Sequence, residues 1–341
     1  VIRYLLWRIA YAVLTWLVAV VLIFLAMRVL PGNPLLARFG QHPDAEQLAQ
    51  LYEKNGWNRP VVYQLGSFLW QLGTTGDLGE SIARGGTSVS RELRERLPAT
   101  VELALAALLV AIPLGVFAGV LAAAYRGRWP DHLCTTYSLL GVSVPIFFLG
   151  VVLRELLPFF PTSQRLPPTE FSFEPLTGLY LFDAPWQGRF DLLPTVLRHL
   201  FLPAITLSTI PAAAIAKITR NAMLETLPAD YIRTAQAKGA GWLRIVSRHA
   251  LANAAVPIVN ISGLQIGMLL TGAVLTETVF SWPGLGKYIS DAVVNDRDYA
   301  VVQAGAIVIA ALFAILNLLL DVAYLFLDPR IRHSSASGME R

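Results

Sequence analysis

Tyr231-Ile232-Arg233-Thr234-Ala235-Gln236-Ala237-Lys238-Gly239-Ala240 lies in a loop, residues 221–253, that joins two apolar segments of membrane length. The stretch reads as a short helix: Pro228 suits a first turn, Asp230 favours the positive end of the helix dipole, and Gly239 with Gly241 supplies a stop. Ile232, Ala235 and Gly239 fall on one face at offsets of three and four, while Arg233, Gln236 and Lys238 point elsewhere. A helix this short between two spans lies across the membrane surface. Its small apolar face suits a groove on another protein, because such residues insert poorly into lipid.

The rest of the chain sets that loop in a bilayer. Hydrophobic residues make up 55% and charged residues 15%, with a mean hydropathy of +0.54, which leaves too little polar surface for a soluble protein. A membrane helix needs about 20 mostly apolar residues. Residues 9–27, 103–124, 133–153, 200–216, 254–279 and 299–320 meet that need, which predicts an all-α membrane protein of about six spans. The fourth is the weakest, being short and interrupted by Pro203 and Pro211. The first lacks a small-residue cleavage site and reads as a retained anchor.

Basic residues orient the spans. Arg3, Arg8, Arg126, Arg128, the cluster Lys217, Arg220, Arg233, Lys238, Arg244 and Arg248, and finally Arg330 and Arg332 alternate with apolar segments in a way that puts all of them, and both termini, in the cytoplasm. The net charge of +4 then reflects topology and contact with anionic membrane lipid, not nucleic-acid binding. Residues 1–30 are the tail and first span, 31–98 an external segment, 99–327 the membrane core and 328–341 a cytoplasmic tail. Within the core, 158–199 form an external loop and 217–253 the cytoplasmic loop.

In the external segment, Pro31-Gly32-Asn33-Pro34 breaks the first helix, residues 44–71 carry apolar residues at helical spacing, residues 73–81 form a glycine-dense turn, and residues 91–96 alternate in sign as a solvated helix does. Gly115-x-x-x-Gly119 and Gly263-x-x-x-Gly267 have the spacing of close helix packing or of ordinary membrane-helix glycine. In the fifth span Gln265, Met268, Gly272 and Thr276 form one polar or small stripe ending at Glu277, with Thr271 nearby. The stripe either lines a translocation route or makes a helix contact, and Glu277, a carboxylate within a span, needs water or a partner there. Cys134, the single cysteine, reads as a packed small side chain.

From Tyr231 to His333 the chain resembles the inner-membrane permeases of dipeptide and oligopeptide ABC importers. The resemblance is carried by Tyr231 to Gly239 with His249-Ala250-Leu251 and Asn253, by Leu275-Thr276-Glu277-Thr278-Val279-Phe280-Ser281-Trp282-Pro283-Gly284-Leu285-Gly286, and by Asp328-Pro329-Arg330-Ile331-Arg332. Weaker echoes sit at Leu30 to Pro34, Asp77-Leu78-Gly79 and Ser143-Val144-Pro145. The resemblance implies that Tyr231, Ile232, Arg233, Ala235, Lys238 and Gly239 belong to a coupling helix that docks on an ATPase. It implies as partners a second homologous permease, two ABC ATPases that use ATP and magnesium, and an extracytoplasmic peptide-binding protein, all at a bacterial inner membrane. Arg233 and Thr234 stand where the general ABC-permease signature has Glu-Ala, and Ala252 where it has proline.

The chain itself shows no ATP site, since Gly284-Leu285-Gly286-Lys287-Tyr288 lacks the earlier glycine and has tyrosine where magnesium needs a hydroxyl of serine or threonine. No metal or nucleophile motif appears either, so the chain is read as a non-enzyme that binds no cofactor of its own. An ATP-independent secondary transporter or channel predicts internal repeats and several buried charges, and neither is evident. Permeases of the resembled type import dipeptides, longer peptides, glutathione or nickel complexes, which these residues do not separate.

Overall fold

A computed structural model describes residues 2–29, 52–53, 56–81, 83–170 and 173–327, without the side chains of residues 2, 270, 271 and 323–327. Residues 31–34, most of 44–60, the tail from Asp328 and the Thr271 side chain therefore lie largely or wholly outside the description. Helices dominate, as they must where backbone groups have no water to bond. They are α1 (Ile2–Val29), α2 (Val61–Thr74), α3 (Val89–Ala124), α4 (Trp129–Ser143), α5 (Ile146–Leu156), α6 (Tyr180–Trp186), α7 (Leu193–Thr226), α8 (Asp230–Ala237), α9 (Leu251–Val279), α10 (Leu285–Asp291) and α11 (Tyr299–Leu327). The one sheet among the described residues is a hairpin of β1 (Glu80–Ser81) and β2 (Thr87–Ser88), with Glu80 opposite Ser88.

Among the described residues five helical stretches are long and apolar enough to cross a membrane, and α4 with α5 makes a sixth if that pair, bent by 110°, is counted as one span. The sequence therefore misjudges which span is irregular. The fourth is a continuous 34-residue helix that carries Pro203 and Pro211 inside it, whereas the third is broken at Val144-Pro145. Proline explains both outcomes. Pro203 and Pro211 lie in α7, the most buried span, where neighbours hold the helix. Pro145 follows Val144, whose extended backbone (φ −82°, ψ 123°) is what a residue before proline prefers.

The chain divides into two compact units, residues 99–283 and residues 1–98 with 284–341, so the last span groups with the first and not with the rest of 99–327. In the 99–283 unit α7 is the central element. Its residues Leu200, Ala204 and Leu207 pack with Leu103, Ala107, Leu269 and Trp282. Further along, Ala212 and Ile215 meet Ala111, and Met223 joins Ala123, Ile232, Ile245, Val246 and Ala250. Gly115 and Gly119 are contact glycines: a Cβ on Gly115 would lie 2.7 Å from the Ala212 carbonyl oxygen, and one on Gly119 2.5 Å from that of Ala216. On the other side of α7, Gly141 of α4 leaves a Cβ only 2.7 Å from that of Ala213, and the hydroxyls of Tyr137 and Ser138 donate to the Thr209 and Ala213 carbonyls at 3.2 Å each. Cys134 is buried with Ala122 and Ala216, as a packed small side chain.

In the other unit α1 runs along α11. Trp16 Nε1 donates to the Ile307 carbonyl at 3.2 Å, and Arg8 pairs with Asp321 at 2.8 Å, which accounts for the carboxylate near that end of α11. Residues 91–96 form the first turns of α3, where Leu93 is buried while Arg91 and Glu95 pair at 2.9 Å. Asp298 caps α11 by accepting the amides of Ala300 and Val301 at 3.2 and 3.3 Å, and its other oxygen accepts the Ser81 hydroxyl at 2.5 Å, which ties the hairpin to the helix start. Arg84 pairs with Asp296 at 2.9 Å and lies 4.6 Å from the Tyr288 ring, with Arg96 4.3 Å from the same ring. Burial first, then the Glu92 charge, pushes the Tyr288 hydroxyl above the usual phenol range, against the opposing pull of the two guanidiniums.

The glycine contact yields a direct expectation. Gly119→Leu forces α3 away from α7 and costs about 1–3 kcal/mol, read as a fall in thermal midpoint of the detergent-solubilised protein. Gly127→Leu is a poor control because its backbone is left-handed (φ +72°), whereas Gly73→Leu, with open space around it, leaves the midpoint in place.

Candidate functional site

The short helix expected in the loop 217–253 is present as α8, starting two residues after Pro228, with Ala229 as its extended N-cap and Asp230 in its first turn. Its end is a left-handed cap: Gly239 has φ +80°, its amide donates to the Gln236 carbonyl at 2.9 Å, and the Ala240 amide reaches back to the Ala235 carbonyl at 3.1 Å. Nothing lies within 4 Å of a Cβ built on Gly239, so the glycine is required by backbone conformation and not by space.

The faces of α8 differ from the sequence expectation. Ile232 is 1% exposed and packs with Met223, Ile245, Val246 and Ala250 of its own chain, and Ala235 beside it is half-buried. The apolar face is thus turned inward, against the ends of α7 and α9 and the turn before α9. The outward face carries Tyr231, Thr234 and Lys238 at offsets of three and four, with Arg233, Gln236, Ala237 and Gly239 also exposed. Arg233 and Asp230 approach to 3.4 Å, an exposed pair that contributes little. Trp242 at 51% and Leu243 at 80% exposure extend this surface, and the sequence reading missed them. The signal was there: two large apolar residues directly after Gly239 and Gly241 in a basic loop.

After Leu243 the chain makes a turn with a wider hydrogen-bond spacing, Ile245–Ala250, before α9 begins. Ala252, where the signature has proline, continues α9 as ordinary helix, and the helix takes its proline at Pro257 instead.

The stripe on α9 is divided by the fold. Met268 is 61% exposed and Gly272 half-buried, its Cβ position 3.4 Å from Leu207. Gln265, Thr276 and Glu277 are buried at 4%, 1% and 0%, so within the 99–283 unit they are wall and not surface. Glu277 therefore does not stand at a free surface. Its Oε1 accepts the Thr100 hydroxyl at 2.6 Å, and its backbone carbonyl accepts the Trp282 amide at 2.8 Å. Trp282, 1% exposed, donates its indole N–H to the Ala99 carbonyl at 2.9 Å, so the turn after α9 is strapped to α3 at two points. Ser281 takes φ +45° to make that turn.

One buried and one half-buried ion pair were not foreseen. Glu102 of α3 is 3% exposed and pairs with Arg165 while accepting the Leu181 amide at 2.7 Å. Arg165 also donates to the Gly178 carbonyl at 2.7 Å and lies 3.6 Å from the Tyr180 ring, so Arg165 and residues 178–181 are joined to α3 through Glu102. At the other end of α7, Arg220 binds Asp131, which is 5% exposed, at 3.1 Å through Nη2, and Asp131 accepts the Gly127 amide at 2.8 Å. The partners are distant in sequence, which hides such pairs from periodicity.

A short helix packed on the ends of two long helices lies in a chain with several helices of membrane length, and comparison with known proteins gives its family. Residues 111–333 match the family described as binding-protein-dependent transport system inner membrane component. The chain belongs to that family. It is also 42% identical over 314 residues to the dipeptide transport system permease protein DppB of Alkalihalophilus pseudofirmus, covering 91% of this chain and 93% of the relative. The di/tripeptide transport system permease protein DppB of Pseudomonas aeruginosa is 43% identical over 332 residues, 96% and 97% of the two chains. For the dipeptide transport system permease protein DppB of Escherichia coli the figures are 40% over 338 residues, 97% and 99%. This permease is thus a multi-pass, all-α inner membrane component.

Because Glu277 acts through its hydrogen bonds inside the permease, its removal reads out as stability. Glu277→Ala removes one acceptor of the Thr100 hydroxyl and lowers stability by about 0.5–1.5 kcal/mol, whereas Glu277→Gln, which still accepts the hydroxyl, loses less. Equal falls in thermal midpoint for the two variants would show that the charge, not the acceptor, is what matters.

Proposed function

We propose that the chain is one of two homologous permease subunits of an ATP-driven ABC importer for short peptides, forming half of the translocation pathway. Two ATPases that use ATP and magnesium dock from the cytoplasm, and an extracytoplasmic peptide-binding protein delivers the substrate. The relatives' printed names support the substrate class, and the family description supports the dependence on a binding protein. Both termini face the cytoplasm, in line with the distribution of Arg and Lys over the short loops.

The observation that carries the mechanism is the two-faced α8: Ile232 is sealed into the chain's own core while Tyr231, Thr234, Lys238, Trp242 and Leu243 stand outside. Closure of the ATPases pushes on the outer face, and the buried contact passes that displacement to the ends of α7 and α9 as a rigid movement. The pathway then alternates between inward-open and outward-open states according to which state the bound ATPase favours. Of the α9 stripe, Met268 presents side chain to the route, and Gln265, Gly272, Thr276 and Glu277 build the wall behind it.

A mutation pair tests the docking face. Leu243→Asp removes an exposed apolar contact without disturbing the Ile232 cluster, so uptake of a labelled dipeptide into proteoliposomes falls at least about tenfold, the effect of losing ~1.4 kcal/mol of docking, while the subunits remain folded. Gly239→Val strains the left-handed cap by about 1–2 kcal/mol and gives the same loss, with Gly239→Asn milder because asparagine tolerates that conformation. Normal uptake by Leu243→Asp at limiting ATPase concentration removes Leu243 from the docking face.

A further inference from the structure

The geometry assigns the break between α4 and α5 to the water-filled route through the transporter, an assignment that rests on the transporter reading above but not on the identity of the cargo. The break is a hydrogen-bonding defect. Val144 donates its amide to the Leu140 carbonyl at 2.9 Å, and Leu149 donates to Pro145 at 3.1 Å. Among the described residues no hydrogen bond reaches the carbonyl oxygens of Gly141, Val142 or Ser143. The reason lies in the sequence: Pro145 has no N–H for Gly141, and the 110° turn carries the next amides away from Val142 and Ser143. The Ser143 hydroxyl does not compensate, since it donates back to Leu139 at 2.8 Å.

The defect sits at membrane depth. α4 begins beside Arg126 and Arg128, and Asp131 in its first turn pairs with Arg220, so charged groups mark that boundary. From there Gly141 packs on Ala213, and Tyr137 and Ser138 bond to Thr209 and Ala213. Thr209 precedes Arg220 by eleven residues, a rise of about 16 Å, well inside a hydrocarbon layer about 30 Å thick. The break is also on the surface of the chain: Val142 is 67% exposed, and Ser143 and Pro145 are exposed beside it.

Unpaired carbonyls at such a depth do not face lipid, where each costs several kcal/mol; they are found buried in protein or lining water. A partner helix has its own amides bonded internally and offers only side-chain donors, whereas water, and the N–H groups or ammonium of a passing peptide, supply donors freely. The carbonyls of Gly141, Val142 and Ser143 are therefore an acceptor ledge on the route, solvated by water and open to any donor that passes.

The test places single cysteines at Ser143 and, separately, at Val142, in the assembled transporter with Cys134→Ala, and treats membrane vesicles with a charged, membrane-impermeant thiol reagent and with a lipid-soluble maleimide. Water-lined placement predicts reaction with the charged reagent at both positions and loss of dipeptide uptake once either is modified. Reaction with the lipid-soluble maleimide alone places the break against lipid, and reaction with neither places it under the partner permease; each overturns the assignment. Uptake by the unmodified transporter in the same vesicles reports on the peptide reading separately, because cysteine accessibility does not depend on which cargo is carried.

Discussion

Ile232 sits 1% exposed among Met223, Ile245, Val246 and Ala250, and that contact fixes where the docking helix lies. Burying such a side chain contributes about 1.5–3 kcal/mol, enough to hold an eight-residue helix that has no length to be stable by itself. Everything the loop does follows from it. The polar and large residues of α8 and of the following turn are left outside because the one well-placed aliphatic side chain points in, and the ends of α7 and α9 share its cluster.

Within the 99–283 unit, α7 is held by charge near its last turns and by packing along its length, and further polar contacts join the elements around it. Arg220 is bound to Asp131 near its last turns, while the Glu102–Arg165 pair and the Glu277–Thr100 and Trp282–Ala99 hydrogen bonds secure the opposite end of the same core. Buried charges are costly unless paired, and breaking one partner costs more than the pair contributes. These contacts define a unique arrangement more than they stabilise it. The glycines at 115, 119 and 141 let the backbones of α3 and α4 close on α7, where dispersion and not water drives association.

Much of this was legible in the sequence. Composition gave the membrane setting, 20-residue apolar runs gave the helices, and Asp230 and Gly239 bracketed α8 within two residues of its ends. The family resemblance rested on residues 231–239 and 275–286, both of which lie at structurally constrained points: the docking helix with its left-handed cap, and the turn where Trp282 is buried. What failed did so for physical reasons. Helical spacing gives the faces of α8 and α9 but not which face meets the chain's own core, so Ile232 was assigned to a surface it does not reach, and for Glu277 the choice between water and a partner stayed open. Prolines were weighed by number, whereas their effect depends on support: Pro203 and Pro211 are tolerated inside the buried α7, and Pro145 breaks the third span. Ion pairs such as Glu102–Arg165 join residues far apart in the chain, beyond the reach of any local pattern.

The claim that α8 moves as one body with α7 is tested most directly by an interspin distance. Nitroxide labels at Lys217 and Lys238, both exposed, in the Cys134→Ala protein report the separation of the two helices by double electron–electron resonance in the resting and the vanadate-trapped transporter. Rigid transmission predicts one narrow distance distribution that is the same in both states. A shift or broadening on trapping, in a transporter that still takes up dipeptide, would show that α8 slides on its Ile232 contact and that the push reaches the membrane helices another way.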